Sequence, residues 1–150
     1  MKSEMHVSVH APYDRIFRLA ADVERWPELL PHYRYVRRLP DPDGERRFAM
    51  GARRGPIPVR WEAVQRPQPD ERRIGFTHTG GVTRGMDVAW RFEPIGGASE
   101  AWDVSIHHRL DLGWPLVGGP VASLVIGPQF IDAIAGRTLR RIKALAEGEG

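Results

Sequence analysis

The sequence predicts an α+β fold in which an antiparallel sheet lays one dry face against a long C-terminal helix. Three observations lead there. First, Met86, Val88, Trp90 and Phe92 alternate with Asp87, Ala89, Arg91 and Glu93. Trp102, Val104, Ile106, His108 and Leu110 alternate in the same way with Asp103, Ser105, His107, Arg109 and Asp111. Each stretch is a strand with one apolar and one charged face. Second, the connections between successive strand-like segments are short, as antiparallel pairing allows and parallel pairing does not. Third, the period changes to 3.6 between Gly127 and Gly148. Ile131, Ile134, Ala135, Thr138, Ile142 and Leu145 fall on one side there, and Asp132, Gly136, Arg137, Arg140, Lys143 and Glu147 on the other. Pro128 suits a first helical turn, and Gly148 suits the left-handed residue that ends a helix.

In chain order, Met5, Val7 and Val9 alternate with His6 and Ser8 in a half-buried first strand. Ala11-Pro12 ends it and opens a helix through Val23, with Tyr13, Ile16, Phe17, Ala20 and Val23 inward. A shorter helix follows over Glu24–Leu30, closed by Pro31. Strands are then expected over Tyr33–Leu39, Arg46–Arg53, Ile57–Arg66, Arg72–Thr79, Met86–Glu93 and Ser99–Leu112. Pro40-Asp41-Pro42-Asp43-Gly44, Gly55-Pro56, Pro67-Gln68-Pro69-Asp70, Gly80-Gly81 and Pro94-Ile95-Gly96-Gly97 are the turns between them. The 150 residues, 41% of them hydrophobic, suit one domain with a real core.

Composition narrows the function. The chain has no cysteine, which excludes disulfides and thiolate metal sites and suits a reducing compartment. Met1-Lys2-Ser3-Glu4 runs straight into a strand without a signal peptide, so a cytoplasmic protein is expected. Twenty of the 22 basic residues are arginine. Their doublets, at Arg37-Arg38, Arg46-Arg47, Arg53-Arg54, Arg72-Arg73 and Arg140-Arg141, are scattered over separate elements and followed closely by acids. That is the pattern of solvated strand ends and a helix face, and no nucleic-acid partner is expected. The six histidines form no H-x-x-x-H pattern, and His107 and His108 point to opposite faces of their strand, so no metal is expected either. Gly80 to Gly85 is glycine-rich but lies between two strands with no helix N-terminus to hold an anion, so it reads as a hairpin turn.

The order of one strand, two short helices, an antiparallel meander and a long C-terminal helix resembles the helix-grip proteins of the START-like (SRPBCC) superfamily. Val23-Glu24-Arg25-Trp26-Pro27-Glu28-Leu29-Leu30-Pro31-His32-Tyr33 is similar to a stretch of the polyketide aromatase/cyclases, members of the polyketide cyclase/dehydrase group. Thr79-Gly80 through Met86-Asp87-Val88-Ala89-Trp90 is similar to a strand pair of the same proteins. The resemblance implies a cavity between sheet and helix that holds an apolar molecule, without a cofactor, and an acyl carrier protein as a candidate partner. It makes Trp26 and Tyr33 cavity-lining residues and brings Arg66 near an arginine that polarises a substrate carbonyl. Two departures stand beside it. Val64 replaces a serine of the family pattern, and strict alternation sets Arg66 with Arg60 and Glu62, opposite Ile57, Val59, Trp61 and Ala63. Arg66 faces water unless a bulge near Gln65 shifts the register.

The candidate site follows from the apolar face. His108 shares it with Trp102, Val104 and Ile106, and His78 shares it with Phe76. Imidazole is the usual general acid–base near neutral pH, so Tyr33, His108 and Arg66 are the candidate catalytic residues for an aldol cyclisation. A core histidine satisfied by a neighbour is the alternative for His108. Phe48, Met50, Val88, Trp90, Ile131, Ile134, Ala135, Thr138 and Ile142 complete the candidate lining. The five tryptophans fit an aromatic-walled cavity and a filled core equally well. Two functions therefore stand open: a cyclase-like enzyme, or a non-catalytic carrier or sensor of a lipid, quinone or isoprenoid. Converging polar groups inside the cavity favour the first, and an entirely apolar interior the second.

Leu112 to Ile131 contains no charge, yet Pro115, Pro120 and Pro128 with four glycines argue against one spanning helix. The segment reads either as an apolar cover over one end of the sheet or as a gate at the cavity mouth that touches a bilayer through Trp114. Liposome co-sedimentation separates the two. The gate requires binding by the wild type that a Trp114→Ser/Leu116→Ser variant loses; a wild type that stays in the supernatant leaves the cover.

Overall fold

The computed structural model describes residues 2–81, 83–97, 100–110 and 128–149. Seven strands form one antiparallel sheet: β1 (Lys2–Val9), β2 (Tyr33–Leu39), β3 (Arg46–Arg54), β4 (Ile57–Gln68), β5 (Arg73–Gly81), β6 (Asp87–Pro94) and β7 (Trp102–Arg109). Their spatial order is β1-β7-β6-β5-β4-β3-β2, so the first strand pairs with the last and the second strand is the opposite edge. The chain crosses from one edge to the other through α1 (Tyr13–Ala21), a 3₁₀ turn at Val23–Arg25 and α2 (Trp26–Leu29). The first helix thus ends at Ala21, two residues before the expected Val23, because the next residue, Asp22, has a φ of −84° and a ψ of 68° that are not helical. The long helix, α3 (Pro128–Ala144), lies over the inner face and widens into a last π-type turn. Gly148 ends it at φ 102°, the left-handed conformation that a glycine adopts at least cost.

The inner face has a solid half and a hollow half. Beneath α1, Tyr13 lies tilted against Trp102 at 4.9 Å and meets Phe92 edge-on at 5.8 Å, while Phe17 lies 5.3 Å from Phe92. Val104 and Ile142 are fully buried in the same core. Phe48 is buried as well, with the guanidiniums of Arg38 and Arg46 at 5.4 and 5.5 Å from its ring. Between these groups, Gln65 donates to the Ala21 carbonyl at the end of α1 and accepts from Arg46 Nε, both at 2.8 Å. One buried amide thereby ties helix, strand and capping arginine together.

The second half is held open by how α3 is attached. Gly136, assigned by periodicity to the solvent side, is buried against β1. A Cβ there would stand 2.9 Å from Met5 Cε. Ser3 donates a hydrogen bond to the Asp132 carboxylate in the same seam. Farther along, Arg15 Nη2 donates to the Leu145 carbonyl at 2.9 Å, Arg141 Nε to the Leu29 carbonyl at 3.1 Å and Lys143 Nζ to the Ser8 carbonyl at 2.6 Å. Ile57, placed inward by alternation, sits at the β3–β4 hairpin tip and is exposed.

Two neighbouring substitutions test this account of the core. Gln65→Leu leaves the Ala21 carbonyl without its partner and should cost about 1–3 kcal/mol in urea unfolding. Arg66→Ala, one residue along on the wet face, should change stability by no more than about 0.5 kcal/mol. Equal effects would contradict the register.

Candidate functional site

The hollow half is a cavity bounded by β3 to β7 below and by the first turns of α3 above. Its volume is about 90 Å³. Its wall includes Trp26, Tyr33, Met50, Phe76, His78, Val88, Trp90, Ile106, His108, Ile131, Ile134, Ala135 and Thr138, all expected from the sequence. Val59, Trp61, Thr83 and Met86 also line it. Trp61 and Met86 lie on the apolar faces already read from alternation. Thr83 comes from a hairpin turn, for which no periodic signal exists.

Five candidates lie elsewhere. Phe48, Trp102, Val104 and Ile142 fill the solid half, because alternation tells which face a side chain takes but not where along the strand the layers part. Arg66 is on the outer face with half its side chain exposed. Its guanidinium donates to Thr77 Oγ1 at 3.0 Å and pairs with Glu45 at 3.4 Å. Pairing between β4 and β5 does shift between Glu62 and Ala63, but Gln65, not Arg66, turns inward. The charge-free segment lies outside the described residues except for Pro128–Ile131 at the start of α3, so neither the cover nor the gate at Trp114 is addressed. Among the described residues, no helix is long and apolar enough to cross a membrane, and no three metal-binding side chains are grouped.

An aromatic belt runs around the wall. Trp26 lies 6.0 Å from Trp90 and 5.0 Å from Tyr33. Tyr33 meets Trp61 at 6.0 Å, and Trp61 stacks on His78 at 5.8 Å with their planes nearly parallel. Trp26 is locked by its indole N–H, which donates to the Leu19 carbonyl at 3.1 Å.

Polar atoms are few in this belt and electrically neutral. His78 Nδ1 is bonded to Thr83 Oγ1 at 2.6 Å, an arrangement set by the turn in which Gly85 N donates to the His78 carbonyl. Gly81, at φ 91°, permits that turn; a Cβ there would strike the Arg60 carbonyl at 2.4 Å. Burial, with nearby His108, pushes the His78 imidazole down to about 3. His108 is pushed down to about 4, again by burial, while Asp132 on α3 pulls it upward. Its Nδ1 is buried with no hydrogen-bond partner among the described residues. Burial holds the Tyr33 phenol far above its ordinary range, and its hydroxyl is bonded to Thr138. At neutral pH the wall thus offers two uncharged imidazoles and an un-ionised phenol.

The sequence model of the family described as "Polyketide cyclase / dehydrase and lipid transport" matches residues 9–127. The chain belongs to that family. It is 26% identical over 148 residues to the granaticin polyketide synthase bifunctional cyclase/dehydratase of Streptomyces violaceoruber. That match takes in 97% of this chain but 44% of the relative, so the chain spans less than half of that protein's length. Among solved structures, the Zhui aromatase/cyclase from Streptomyces sp. R1128 superposes with a TM-score of 0.74 at 19% identity, over 99% of this chain and 92% of that one. A START superfamily protein from Mycobacterium smegmatis superposes with a TM-score of 0.65 at 18% identity, over 99% and 95%. At these identities the superpositions establish the START-like helix-grip fold.

The buried histidines give the family member a definite acid response. His32, buried in the linker between α2 and β2, is also pushed down to about 4, by burial first and by Arg137 second. Each has a folded pKa below its unfolded one, so the unfolded chain binds more protons and stability falls as pH drops from about 6.5 toward 4. Three such groups give a slope of about 4 kcal/mol per pH unit. His6 works in the opposite sense. Hydrogen bonds to Glu4 and Asp103 raise its pKa, so its contribution is complete below about 6.5 and lost as pH rises. Urea midpoints from pH 7 to 5 should fall steeply, and His108→Phe should lower the slope by about one third.

Proposed function

We propose that the cavity binds the carbon chain of a poly-β-ketone and promotes its intramolecular aldol cyclisation. What supports the reading is the convergence of uncharged acid–base groups on an otherwise apolar, aromatic wall, in a chain of this family. A cavity serving transport alone needs no such groups.

Aldol cyclisation needs a base for a methylene between two carbonyls and a hydrogen-bond donor to the carbonyl that is attacked. His108, neutral and with an unpartnered ring nitrogen, takes the methylene proton. The carbon's electron pair then forms the new C–C bond as the receiving C=O bond opens to an alkoxide. Tyr33 turns its hydroxyl from Thr138 to that oxygen and stabilises the charge. The proton held by His108 passes to the alkoxide, so the step is a net isomerisation. Asp132 favours the transient imidazolium. Arg66 has no part in this scheme. The aromatic belt folds the chain, and an acyl carrier protein is the natural donor of so reactive a substrate.

The family description also includes lipid transport, and most of the wall is apolar. A carrier of an isoprenoid or quinone is therefore the second reading.

With a synthetic poly-β-ketone thioester, His108→Phe should slow cyclised-product formation by about 100-fold or more, and Tyr33→Phe should also slow it. Native mass spectrometry should show both variants still retaining the chain. Undiminished cyclisation in both would exclude the catalytic reading, while retention of an apolar molecule without any cyclisation by the wild type would establish the carrier. Thr138→Trp should occlude the cavity and abolish uptake of an apolar fluorescent probe in either case.

A further inference from the structure

A buried histidine that the aldol scheme does not use stands one residue before Tyr33. His32 is 2% exposed and belongs to the linker between α2 and β2. Its carbonyl accepts from Arg53 N at 2.9 Å, and its ring meets the Tyr33 ring edge-on at 4.9 Å. Its Nε2 lies 2.9 Å from Oγ1 of Thr138, a buried residue of the cavity wall. Its Nδ1 is buried with no hydrogen-bond partner among the described residues. An unmatched buried nitrogen is costly, and a phenylalanine would fill much the same space without one. What the imidazole supplies and a hydrocarbon ring does not is the contact at Nε2.

The direction of that contact is fixed by its surroundings. The Thr138 hydroxyl donates to the Ile134 carbonyl at 2.9 Å, so its single proton is in use. The Ile134 carbonyl also attracts His32, and a carbonyl only accepts. Nε2 therefore carries the proton and donates, while Nδ1 holds the spare lone pair. Burial, with Arg137 second, pushes the imidazole down to about 4, so at neutral pH it has this one proton only. Tyr33, which lines the cavity, bonds to the same threonine. A helical threonine divides between two χ1 rotamers, and His32 favours the one that keeps the oxygen between imidazole and phenol. Thr138 Oγ1 thus stands between a fixed donor and a phenol whose proton is free to turn.

We infer that His32 is a positioning residue for Tyr33 and heads a chain of donors, from His32 Nε2–H through Thr138 and Tyr33 to a carbonyl oxygen in the cavity. At rest, His32 and Tyr33 both donate to Thr138. When the phenol turns its proton to the ligand oxygen, its own oxygen is left to accept. The Thr138 proton then turns from the Ile134 carbonyl to the phenol oxygen, and His32 continues to donate to Thr138. Two hydroxyl rotations accomplish the change, and no covalent bond forms or breaks. The Ile134 carbonyl keeps its main-chain helix bond and the nearby imidazole N–H. Every bond in the turned chain points the same way, and hydrogen bonds aligned in this manner strengthen one another. The stronger donation by Tyr33 falls on the oxygen where charge develops as the receiving carbonyl opens. The catalytic use of the chain rests on the cyclase reading; its geometry does not.

Two measurements test the chain separately: cyclisation of the poly-β-ketone thioester, and the infrared carbonyl stretch of bound acetophenone labelled with ¹³C at that carbon. His32→Phe should lower kcat about tenfold while KM changes by less than about twofold. His32→Gln, which restores a donor, should recover most of the loss. In a Tyr33→Phe background, His32→Phe should change kcat by less than about twofold, because the chain no longer reaches the ligand. A merely structural histidine would act equally in both backgrounds. Urea midpoints confirm that each variant is folded. The acetophenone stretch should be lowest in the wild type and highest in Tyr33→Phe, with His32→Phe and Thr138→Val between them. Equal losses from His32→Phe in both backgrounds, or a Tyr33-dependent stretch indifferent to His32 and Thr138, would overturn the positioning role. A ketone that the wild type does not bind, or a stretch unmoved by Tyr33→Phe, would overturn the cavity end of the chain. A wild type that shows the graded stretch but forms no cyclised product would overturn the cyclase reading and leave the chain standing.

Discussion

Everything distinctive about this protein depends on where α3 is allowed to touch the sheet. The helix comes close along β1, where Gly136 lets the end of the Met5 side chain lie against the helix and Asp132 accepts from Ser3. It is fastened again toward its C-terminal end, through Arg141, Lys143 and the Leu145 carbonyl. Between these attachments it presents Ile134, Ala135 and Thr138 to strands that curve away from it. A helix is stiff over this length, so fixing its edge and its end makes it span the concavity instead of sinking into it. The cavity is therefore a consequence of attachment geometry and does not depend on any one lining residue.

The same geometry sets the chemistry. Side chains facing the cavity are cut off from water, and burial penalises charge more strongly than the few opposite charges nearby favour it. Histidine, the residue most able to change protonation near neutrality, is driven to its neutral form at His32, His78 and His108 alike. At His6, on the wet face, the order of effects reverses, although burial still lowers neighbouring His107. His6 lies between Glu4 and Asp103 with little desolvation, and its charged form is favoured. One residue type thus takes two electrical states according to whether burial or neighbouring carboxylates dominate around it.

Face was what could be read from the amino acids, because a strand's period of two assigns every side chain to one side or the other. Tyr33–Leu39 matches its strand, the Met86-to-Phe92 alternation matches the burial of β6 except at Ala89, which is also buried, and Gly148 adopts the conformation expected of it. Depth was not legible. Val104 and Ile106 look alike along the chain, yet one packs in the solid core and the other borders the cavity. That difference is set by α1 and α3 arriving from distant parts of the sequence. Arg66 shows a related limit: resemblance drew it toward the cavity, while alternation and its bonds to Thr77 and Glu45 keep it in water. Thr83 and His32 could not be anticipated either, since a turn and a short linker carry no repeating pattern by which to orient a side chain.

The division of the inner face into a filled half and an empty half also affects how such a protein can change over evolutionary time. Most substitutions destabilise, and a fold near its threshold has little margin for altering an active surface. Here the tightly interlocked rings of Tyr13, Phe17, Phe92 and Trp102, with the Gln65 clasp, maintain foldedness at a distance from the lining of the hollow. Residues around the empty half already forgo close packing, so exchanging one for another removes few contacts that the fold relies on. Selection can therefore reshape what the hollow accepts while the filled half keeps the chain folded, a separation that lets one scaffold serve unlike molecules.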